Sequence, residues 1–187
     1  ASAAGAHVTL IAGPVALVTP SGVERVDVRS ALEMRSAVME AVARADVFVG
    51  VAAVADYRPA ERAPHKLKRD RDHARIDLIA NPDIIAEVAG LEPRPLIVGF
   101  AAETTDLVRH ARDKLSRKRL DMIAANLVGR NGCGFEAEEN EILLVTAREE
   151  KPLGRSSKRQ LAAMLIDEIA ARLDGKEDIE TRSDQDS

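Results

Sequence analysis

Residues 47–57 read VFVGVAAVADY, and this stretch decides the fold. The run from Val47 to Val54 is continuously apolar and rich in β-branched residues, which is typical of a central parallel strand covered on both faces. Small residues then lead to Asp56. In open α/β sheets, ligands bind beyond the carboxyl ends of the strands, and small side chains let a ligand approach the backbone. The stretch therefore predicts a buried strand and, after it, a candidate ligand-binding strand end.

Asp56, at this strand end, has two interpretations. Its carboxylate can accept hydrogen bonds from a ligand amine or a sugar hydroxyl. It can equally cap a turn or a helix at the end of a tightly packed strand. The spacing alone does not choose between the two.

Apolar runs and helical periodicities alternate on both sides of this strand. Further strands are predicted at 8–12, 23–28, 74–80, 96–100, 120–128 and 142–145, and helices at 31–45, 81–89, 105–119 and 156–173. Alternation at this spacing predicts an α/β fold with a three-layer, Rossmann-like, mostly parallel sheet and a basic flap after the third visible strand.

Two of the helix starts carry specific signals. Ser30 followed by Glu33 forms a capping-box pattern before the helix at 31–45. Asn81 followed by Pro82 predicts the start of a helix. Asn81 is expected to cap the free amides, and proline at the first helical position loses no hydrogen bond.

The 187 residues suit one domain, predicted at 1–173, and an acidic tail, predicted to be disordered, at 174–187. The tail holds six acids against Lys176 and Arg182, a charge of −4 that equals the net charge of the whole chain, so the remainder sums to zero. Residues 1–7 resemble the end of a helix that feeds directly into a strand. We therefore expect the chain to begin partway through its domain.

Composition excludes several classes of function. No apolar run approaches the roughly 20 residues needed to cross a bilayer, and no signal peptide opens the sequence. Aromatic residues make up 2% of the chain, which argues against base stacking on an aromatic sheet. Cys133, the single cysteine, cannot form an internal disulfide. We expect a cytoplasmic protein with neither a nucleic-acid nor a membrane partner.

Two basic clusters interrupt the otherwise neutral domain. Seven cations lie between Arg58 and Arg75, against three acids, and a mobile loop carrying Lys66 and Lys68 could fold over a polyphosphate. Lys114 and Lys118 belong to a second cluster of six cations on the predicted helix 105–119, where they share one face. A solvated charge run and a favourable helix dipole are the alternatives. Together the clusters favour a small anionic ligand.

Familiar catalytic motifs are absent from the sequence. The glycine-rich segment 129–134 does not have the GxGxxG spacing of a dinucleotide site, and no GxSxG, Walker or HExxH motif is present. Phe100, at a predicted strand end, either packs in the core or supports a base or sugar. Because these motifs are absent, we expect any catalysis to rest on positioning and charge stabilisation rather than on a protein nucleophile.

Seven segments resemble the phosphopantothenoylcysteine synthetase family in its bacterial form, which is usually fused to a flavin-dependent decarboxylase. They are GAHVTLIAGP, VDVRSALEM, VGVAAVADYRPA, PHKLKR, ANPDII, VGFAAET and RKRLDMIAAN. They follow the family's order over residues 5–169. Each segment is weak evidence alone, but the ordered set is highly specific.

The resemblance implies an acid–amino-acid ligase of coenzyme A synthesis. Such an enzyme joins 4'-phosphopantothenate to cysteine with CTP, through an acyl-cytidylate that releases pyrophosphate and then CMP. It also implies a divalent metal ion, expected to be Mg²⁺, and a homodimer whose active sites span the interface. FMN is expected only in a fused decarboxylase domain, which these residues do not include.

The resemblance also assigns the site residues. Lys66 matches the functional lysine of the mobile flap and is the expected catalytic residue. The expected nucleotide-binding residues are Gly50, Val51, Ala52, Asp56, Lys66, Asn81, Pro82, Asp83, Ile84, Phe100, Lys114 and Lys118. Asp56 is expected near the cytidine, and the segment 81–84 offers helix-start amides that suit an anion. The metal ligands are left unassigned.

The sequence departs from the family in four features. The opening strand, a GPT-type loop and an SNxSSGxMG segment have no counterpart here, and Leu127 stands where an acid is usual. The resemblance therefore implies that residues 1–187 alone are inactive or impaired. The alternative is a non-catalytic nucleotide-binding or dimerisation module that kept the sheet. A generic NAD-dependent oxidoreductase is weaker, because no dinucleotide fingerprint is visible.

Overall fold

The structure is a computed structural model that describes residues 1–61, 65, 75–103, 106–127 and 139–183. After a short 3₁₀ turn at Ser2–Ala4, the chain alternates strands and helices. In order they are β1 (Val8–Ala12), β2 (Val23–Asp27), α1 (Ala31–Val42), β3 (Val47–Gly50), β4 (Tyr57–Pro59), β5 (Leu78–Ala80), α2 (Ile84–Val88), β6 (Leu96–Glu103), α3 (Leu107–Arg117), β7 (Met122–Leu127), β8 (Glu139–Val145), β9 (Glu150–Ser157) and α4 (Lys158–Ser183).

The central sheet has five strands in the order β3-β6-β7-β8-β9. The pairs β3–β6 and β6–β7 are parallel, whereas β7–β8 and β8–β9 are antiparallel. Two further pairs stand apart from it: β1 with β2, parallel, and β4 with β5, antiparallel. The predicted Rossmann-like α/β class is confirmed.

The position of β3 corrects the prediction made for residues 47–54. The strand ends at Gly50, and within the described residues it pairs on one side only, with β6. Val49 is 38% exposed and Val51 is 59% exposed, so the run is not covered on both faces. The prediction was wrong because an apolar run reports a preference for burial but not whether a helix covers each face of the strand; among the described residues, the face that carries Val49 stays partly exposed.

A strand that the sequence did not predict follows β8. Residues 150–157 read EKPLGRSS, a charged segment with proline and glycine and little intrinsic preference for strand. They nevertheless form strand β9, which pairs with β8. Val145 lies opposite Glu150 at one end of the pairing, and Glu139 lies opposite Ser157 at the other. The tight turn between the strands is held by Thr146, whose Oγ1 accepts hydrogen bonds from the backbone N–H groups of Arg148 and Glu149. Pairing with a buried neighbour overrides the weak local propensity.

Two apolar clusters cover the two faces of the central sheet. The first joins buried residues of α1, α2 and α3, including Val38, Val88 and Leu115, to Ile97 and Ile123 of the sheet. The second consists of sheet residues and of Leu161, Leu165 and Ile169 of α4. Helices therefore lie on both faces, which gives the three predicted layers.

The helix termini confirm one predicted cap and correct another. Ser30 caps α1 by accepting a hydrogen bond from the backbone N–H of Glu33 at 3.2 Å. The cap of α2 is Asp83 instead of Asn81, because the Asp83 carboxylate accepts from the N–H of Ala86 at 3.2 Å. Pro82 therefore precedes the cap and is not the first helical residue.

The last helix is longer than predicted. Helix α4 extends from Lys158 to Ser183. It continues past residue 173, where the sequence predicts the folded domain to end. The disorder of the acidic tail stays a prediction.

Candidate functional site

Five predicted site residues lie on neighbouring elements near the carboxyl end of β3, where Gly50 is in register with Gly99 of β6. We call this set the rim: Gly50, Asp83, Phe100, Lys114 and Lys118. Gly50 ends β3, Phe100 lies in β6, Asp83 caps α2, and the two lysines belong to α3 and its C-cap. Direct contacts between these elements, described next, bring the residues together.

Gly50 lets α2 approach the strand end. A Cβ atom placed on Gly50 would lie 2.9 Å from Cδ1 and 3.1 Å from Cγ1 of Ile85, which is too close without movement of the isoleucine. Gly50 also pairs with Gly99 across β3 and β6. The absence of a side chain at residue 50 therefore sets how closely the first turn of α2 packs on the sheet.

Asn81 ties the segment before α2 to the segment after β3. Its side-chain Nδ2 donates to the carbonyl of Ala55 at 2.8 Å, and its backbone N–H donates to the carbonyl of Asp56 at 2.8 Å. Arg58 donates to Asn81 Oδ1 at 3.2 Å. These bonds hold the Asn81 amide against the segment after β3, whereas α2 begins at Ile84 and has Asp83 as its cap.

The same bonds place Asp56 beside the rim with its side chain exposed. Its carboxylate does not cap α2, because Asp83 does. The interpretation as a ligand acceptor and the interpretation as a turn residue both stay open for this side chain.

Asp83 and Lys118 form an ion pair across α2 and α3. The Nζ atom of Lys118 lies 2.9 Å from Asp83 Oδ2, with side-chain exposures of 21% for the lysine and 48% for the aspartate. Burial raises the pKa of the Asp83 carboxyl. The hydrogen bond from Lys118, the N–H of Ala86 and the charges of Lys118 and Arg117 outweigh that effect and leave the pKa below its usual value of 3.8. The carboxylate is therefore ionised at neutral pH.

Lys114 is held against the strand end by a backbone acceptor. Its Nζ donates to the carbonyl of Phe100 at 2.5 Å, while the half-buried Phe100 ring packs against the α4-side cluster. Lys114 and Lys118 lie one helical turn apart, so both ammonium groups face the end of β6 and the start of α2. A positively charged surface next to a strand end favours an anionic ligand.

Other cations of the α3 cluster have acidic partners that the sequence did not predict. Arg112 pairs with Glu150 of β9 at 2.6 Å, and Arg109 pairs with Asp106 at 3.1 Å. Within α3 itself, Asp113 is the one acidic residue. Other segments thus supply acids to Arg112 and Lys118, so the net positive charge of this surface is lower than the sequence alone indicates.

Asn126 is a candidate site residue that the sequence reasoning missed. Its Oδ1 is buried and has no hydrogen-bond partner among the described residues. It pairs with Ala102, two residues after Phe100 in β6, and strand alternation places both Asn126 and Phe100 on the α4 face. A buried acceptor without a partner is costly, so it marks a place where a donor is expected. The signal in the sequence was a lone amide at the end of the apolar run 122–125.

The remaining predicted residues divide into two groups. Ile84 is 7% exposed and belongs to the core, Pro82 is half-buried beside the cap, and Val51 and Ala52 lie exposed beyond β3. Lys66, the expected catalytic residue, lies outside the described residues, as do the glycine-rich segment 129–134 and Cys133. Their roles stay predictions.

The described residues show neither a protein-built metal site nor a membrane span. In the ranges that the structure describes, no three His, Cys, Asp or Glu side chains cluster so as to hold a metal ion. Among the same residues, no helix combines the length and the apolar composition needed to cross a bilayer.

A three-layer α/β domain with this sheet belongs to the class of Rossmann-like α/β domains. Comparison with known proteins gives the family. Residues 1–173 match the family model "DNA/pantothenate metabolism flavoprotein C-terminal domain", and the chain belongs to this family. The predicted resemblance is thereby confirmed.

The curated relatives carry the name "Coenzyme A biosynthesis bifunctional protein CoaBC". The Vibrio cholerae relative is 50% identical over 165 residues, which cover 87% of this chain and 41% of the relative. The Escherichia coli K12 relative is 47% identical over 176 residues, covering 92% of this chain and 43% of the relative. The chain thus spans less than half the length of these relatives.

A solved structure supports the same assignment. The crystal structure of the C-terminal domain of a coenzyme A biosynthesis bifunctional protein CoaBC superposes with a TM-score of 0.77 at 31% identity. The match covers 93% of this chain and 78% of that one.

Proposed function

We propose that this chain carries the nucleotide-binding part of a phosphopantothenate–cysteine ligase that uses CTP. The observation that carries the proposal is the meeting of Lys114, Lys118, Phe100 and Gly50 at one rim through direct packing and polar contacts. The names of the curated relatives support a role in coenzyme A synthesis.

The proposed reaction has two steps. The carboxylate of 4'-phosphopantothenate attacks the α-phosphorus of CTP, which forms the acyl-cytidylate and releases pyrophosphate. The amine of cysteine then attacks the acyl carbon, and CMP leaves as the amide forms. Both substrates of the first step are polyanions, so nearby cations lower the repulsion between them.

Lys118 is proposed to exchange Asp83 for a phosphate oxygen. The Asp83–Lys118 pair is partly exposed, and such pairs contribute about 0–1 kcal/mol, so its exchange for a more highly charged partner costs little. In the free protein, Asp83 holds the ammonium group in position. Lys114, anchored on the Phe100 carbonyl, supplies the second charge from the same helical face.

Phe100 and Asn126 are proposed to contact neutral parts of the ligands. The half-buried Phe100 ring offers an apolar surface to a base or a sugar. Asn126 Oδ1, which lacks a donor among the described residues, is proposed to accept a hydrogen bond from an amide N–H or a hydroxyl of the bound ligand.

Magnesium is proposed as a companion of the triphosphate. In the ranges that the structure describes, no three His, Cys, Asp or Glu side chains cluster so as to hold the ion, so we propose that the phosphates supply most of its ligands. Mg²⁺ commonly binds through substrate phosphates with few protein ligands.

A homodimer is also proposed. The β4–β5 pair exposes Tyr57 (61%) and Leu78 (58%), and isolated two-stranded sheets are marginal in water. A second copy is proposed to cover this face. In sedimentation velocity, Leu78→Lys is expected to shift the chain towards monomer, whereas Val18→Lys, at a site that is 91% exposed, is not. A monomeric wild type would contradict the proposal.

Calorimetric titration of CTP and ATP in the presence of Mg²⁺ tests the nucleotide assignment. We expect Lys118→Gln and Lys114→Gln each to weaken CTP binding about tenfold or more, because each variant loses a charge-assisted hydrogen bond to the nucleotide. Lys151→Gln is the matched control, because it removes the same charge from β9, where Lys151 pairs with Glu168. Equal loss in all three variants would contradict the rim assignment.

Lys66→Ala tests the flap in the same titration. Weaker CTP binding than in the wild type is expected, and equal affinity would count against the role of Lys66. Pyrophosphate release that depends on phosphopantothenate, followed by product formation on addition of cysteine, measures ligation directly. Binding of CTP without ligation is the result expected if residues 1–187 alone are impaired, or if the chain is a non-catalytic module. Restored ligation in the longer parent protein would select the first of these.

A further inference from the structure

Arg58 is a half-buried cation whose hydrogen-bond partners are neutral. It is the central residue of β4, and its Nη1 atom donates to the carbonyl of Ala80 at 2.5 Å and to Asn81 Oδ1 at 3.2 Å. Within the ranges that the structure describes, these are its hydrogen bonds, and neither acceptor is a carboxylate. Arg35 and Arg94, in contrast, pair with acids. Arg58 therefore joins neighbouring segments instead of balancing a negative charge.

The contact with Arg58 fixes which way the Asn81 side-chain amide points. A guanidinium has only donors, and a backbone carbonyl is only an acceptor. The amide therefore satisfies both neighbours in one orientation, with Oδ1 towards Arg58 at 3.2 Å and Nδ2 towards the carbonyl of Ala55 at 2.8 Å. Among the described residues, Arg58 is the one donor to Asn81 Oδ1. Loss of the guanidinium removes the contact that selects this orientation.

The Asn81 bonds connect Arg58 to the candidate nucleotide site. The backbone N–H of Asn81 donates to the carbonyl of Asp56 at 2.8 Å and so places the residue that carries the exposed carboxylate. Two residues after Asn81, Asp83 caps α2 and pairs with Lys118. A displacement of Asn81 therefore moves predicted nucleotide-binding residues on both sides of it.

Arg58 and the proposed dimer surface lie on opposite faces of the β4–β5 pair. In the register of this pair, Arg58 lies opposite Ile79, whereas Pro59 lies opposite Leu78. Because side chains alternate along a strand, Arg58 faces away from Tyr57 and Leu78. A substitution of Arg58 is thus expected to leave the dimer surface intact.

We propose that Arg58 is a positioning residue of the nucleotide site. Its guanidinium holds the Asn81 amide in one orientation, and the Asn81 bonds hold Asp56 and the start of α2 in place for the nucleotide. Arg58 itself does not contact the ligand. This inference rests on the proposed function, because it gives Arg58 a role in the binding of CTP.

Amide hydrogen exchange without nucleotide tests the positioning separately from CTP binding. Arg58→Met keeps much of the side-chain length and removes every donor. We expect exchange at residues 81–88 to become about threefold faster or more, because this segment is held less firmly against residues 55 and 56. Exchange at 122–125 of β7 should stay unchanged, which shows that the fold is kept. Arg155→Met is the matched control, because it breaks an exposed pair with Glu139 and should leave both segments unchanged.

Calorimetric titration of CTP with Mg²⁺ tests the consequence for the site. Arg58→Met is expected to weaken CTP binding about fivefold or more, the effect of losing one hydrogen bond that orders the site. Arg155→Met should leave CTP binding within about twofold. In an Asn81→Ala background, Arg58→Met should change the affinity by less than about twofold, because the residue through which Arg58 acts is already gone. A direct contact between Arg58 and a phosphate would give losses of similar size in both backgrounds.

Three results would overturn the proposal. They are unchanged exchange at 81–88 in Arg58→Met, unchanged CTP affinity in that variant, and equal losses of affinity in the wild-type and Asn81→Ala backgrounds. A wild type that does not bind CTP would instead contradict the proposed function, and the exchange at 81–88 would still decide whether Arg58 holds this segment. If Arg58→Met unfolds, Arg58→Lys replaces it with the same expected directions, since lysine keeps the charge but lacks the planar fork.

Discussion

Two groups of strands, which we call the two halves, differ sharply in how well they are covered: β6, β7 and β8 form one, and β1 and β3 form the other. In β6, β7 and β8, the side chains of Ile97, Met122, Ile123 and Leu144 are at most 1% exposed. In β1 and β3, the most buried side chain is Ala12 at 7%, and Val49 is 38% exposed. Both halves have apolar strand sequences, so the difference arises from neighbours and not from composition.

The candidate rim lies where these two halves meet. Gly50 ends the poorly covered strand β3, whereas Phe100 lies in the well-covered strand β6 and Lys114 lies in the adjacent helix α3. A ligand at this place would contact a rigid layer on one side and a less restrained strand on the other. The comparison predicts that stability resides mainly in the β6–β7–β8 half, and four substitutions test it.

The largest effect is expected from Ile123→Ala in β7. Removing a fully buried isoleucine side chain leaves a cavity and should lower the free energy of unfolding by about 2–5 kcal/mol. Val49→Ala in β3 should cost less than about 1 kcal/mol, because its side chain is already partly in water. Urea unfolding of both variants measures the two changes in the free energy of unfolding. Similar changes would contradict the difference between the two halves.

A smaller loss is expected from Asp121→Ala, which removes a polar anchor of the covered half. Arg94 donates to both carboxylate oxygens of Asp121 at 2.8 Å, and Oδ2 also accepts from the N–H of Ile97 at 2.8 Å. Losing the acceptor of a buried N–H should cost about 1–3 kcal/mol. Asp106→Ala removes a comparable but exposed pair with Arg109 and should cost below about 1 kcal/mol. Thermal unfolding of the two variants distinguishes these values. Equal shifts in Tm would contradict the role of Asp121 as an anchor of the covered half.

Gly50→Ala should cost about 1–3 kcal/mol, because the added Cβ meets Ile85 and forces it to move. The displaced α2 should also weaken CTP binding. Gly13→Ala is the matched control, since its added Cβ meets only Met34 Cε at an ordinary 3.9 Å. Ile85→Val removes the Cδ1 atom in conflict, so the double variant Gly50→Ala/Ile85→Val should recover part of the binding. Calorimetric titration of CTP checks this. Unchanged CTP binding in Gly50→Ala would show that Gly50 does not contribute to the nucleotide site.

The smallest effect is expected from Asp83→Asn. The pKa of Asp83 is lowered in the folded protein, so its carboxylate stabilises the fold above the unfolded pKa of about 3.8 and loses this effect as pH falls through the folded pKa. For a half-exposed pair, the contribution is below about 1 kcal/mol. The stability difference between wild type and Asp83→Asn should therefore shrink on acidification below about pH 5. A stability difference that stays the same at low pH would show that it does not come from the charge of the Asp83 carboxylate.

The sequence anticipated much of the fold and several pairs of the site. Ser30 and Glu33 predicted the start of α1, and the four-residue spacing of Lys114 and Lys118 correctly placed them on one face of α3. These features depend on local geometry, which a sequence pattern contains. The Asp83–Lys118 pair joins residues 35 positions apart. It was visible in the sequence only as two members of a family pattern.

The errors came from contacts between distant segments. Asn81 was predicted to cap α2, but its amide bonds to Ala55 and Arg58, which no local rule indicates. The segment 150–157 was missed because its strand exists through pairing with β8. Asn126 was overlooked because only the packed strands show that its Oδ1 is buried without a partner.

The sequence by itself determined the alternation of strands and helices, the family resemblance and the positions of the cationic residues. These follow from periodicity, capping chemistry and charge, each of which acts over a few neighbouring residues. Only the tertiary structure decided which cations meet acids, which apolar strand stands at an edge, and which residues share the rim. Those outcomes depend on long-range packing, because burial and electrostatic pairing are set by whichever segments the fold brings within contact distance.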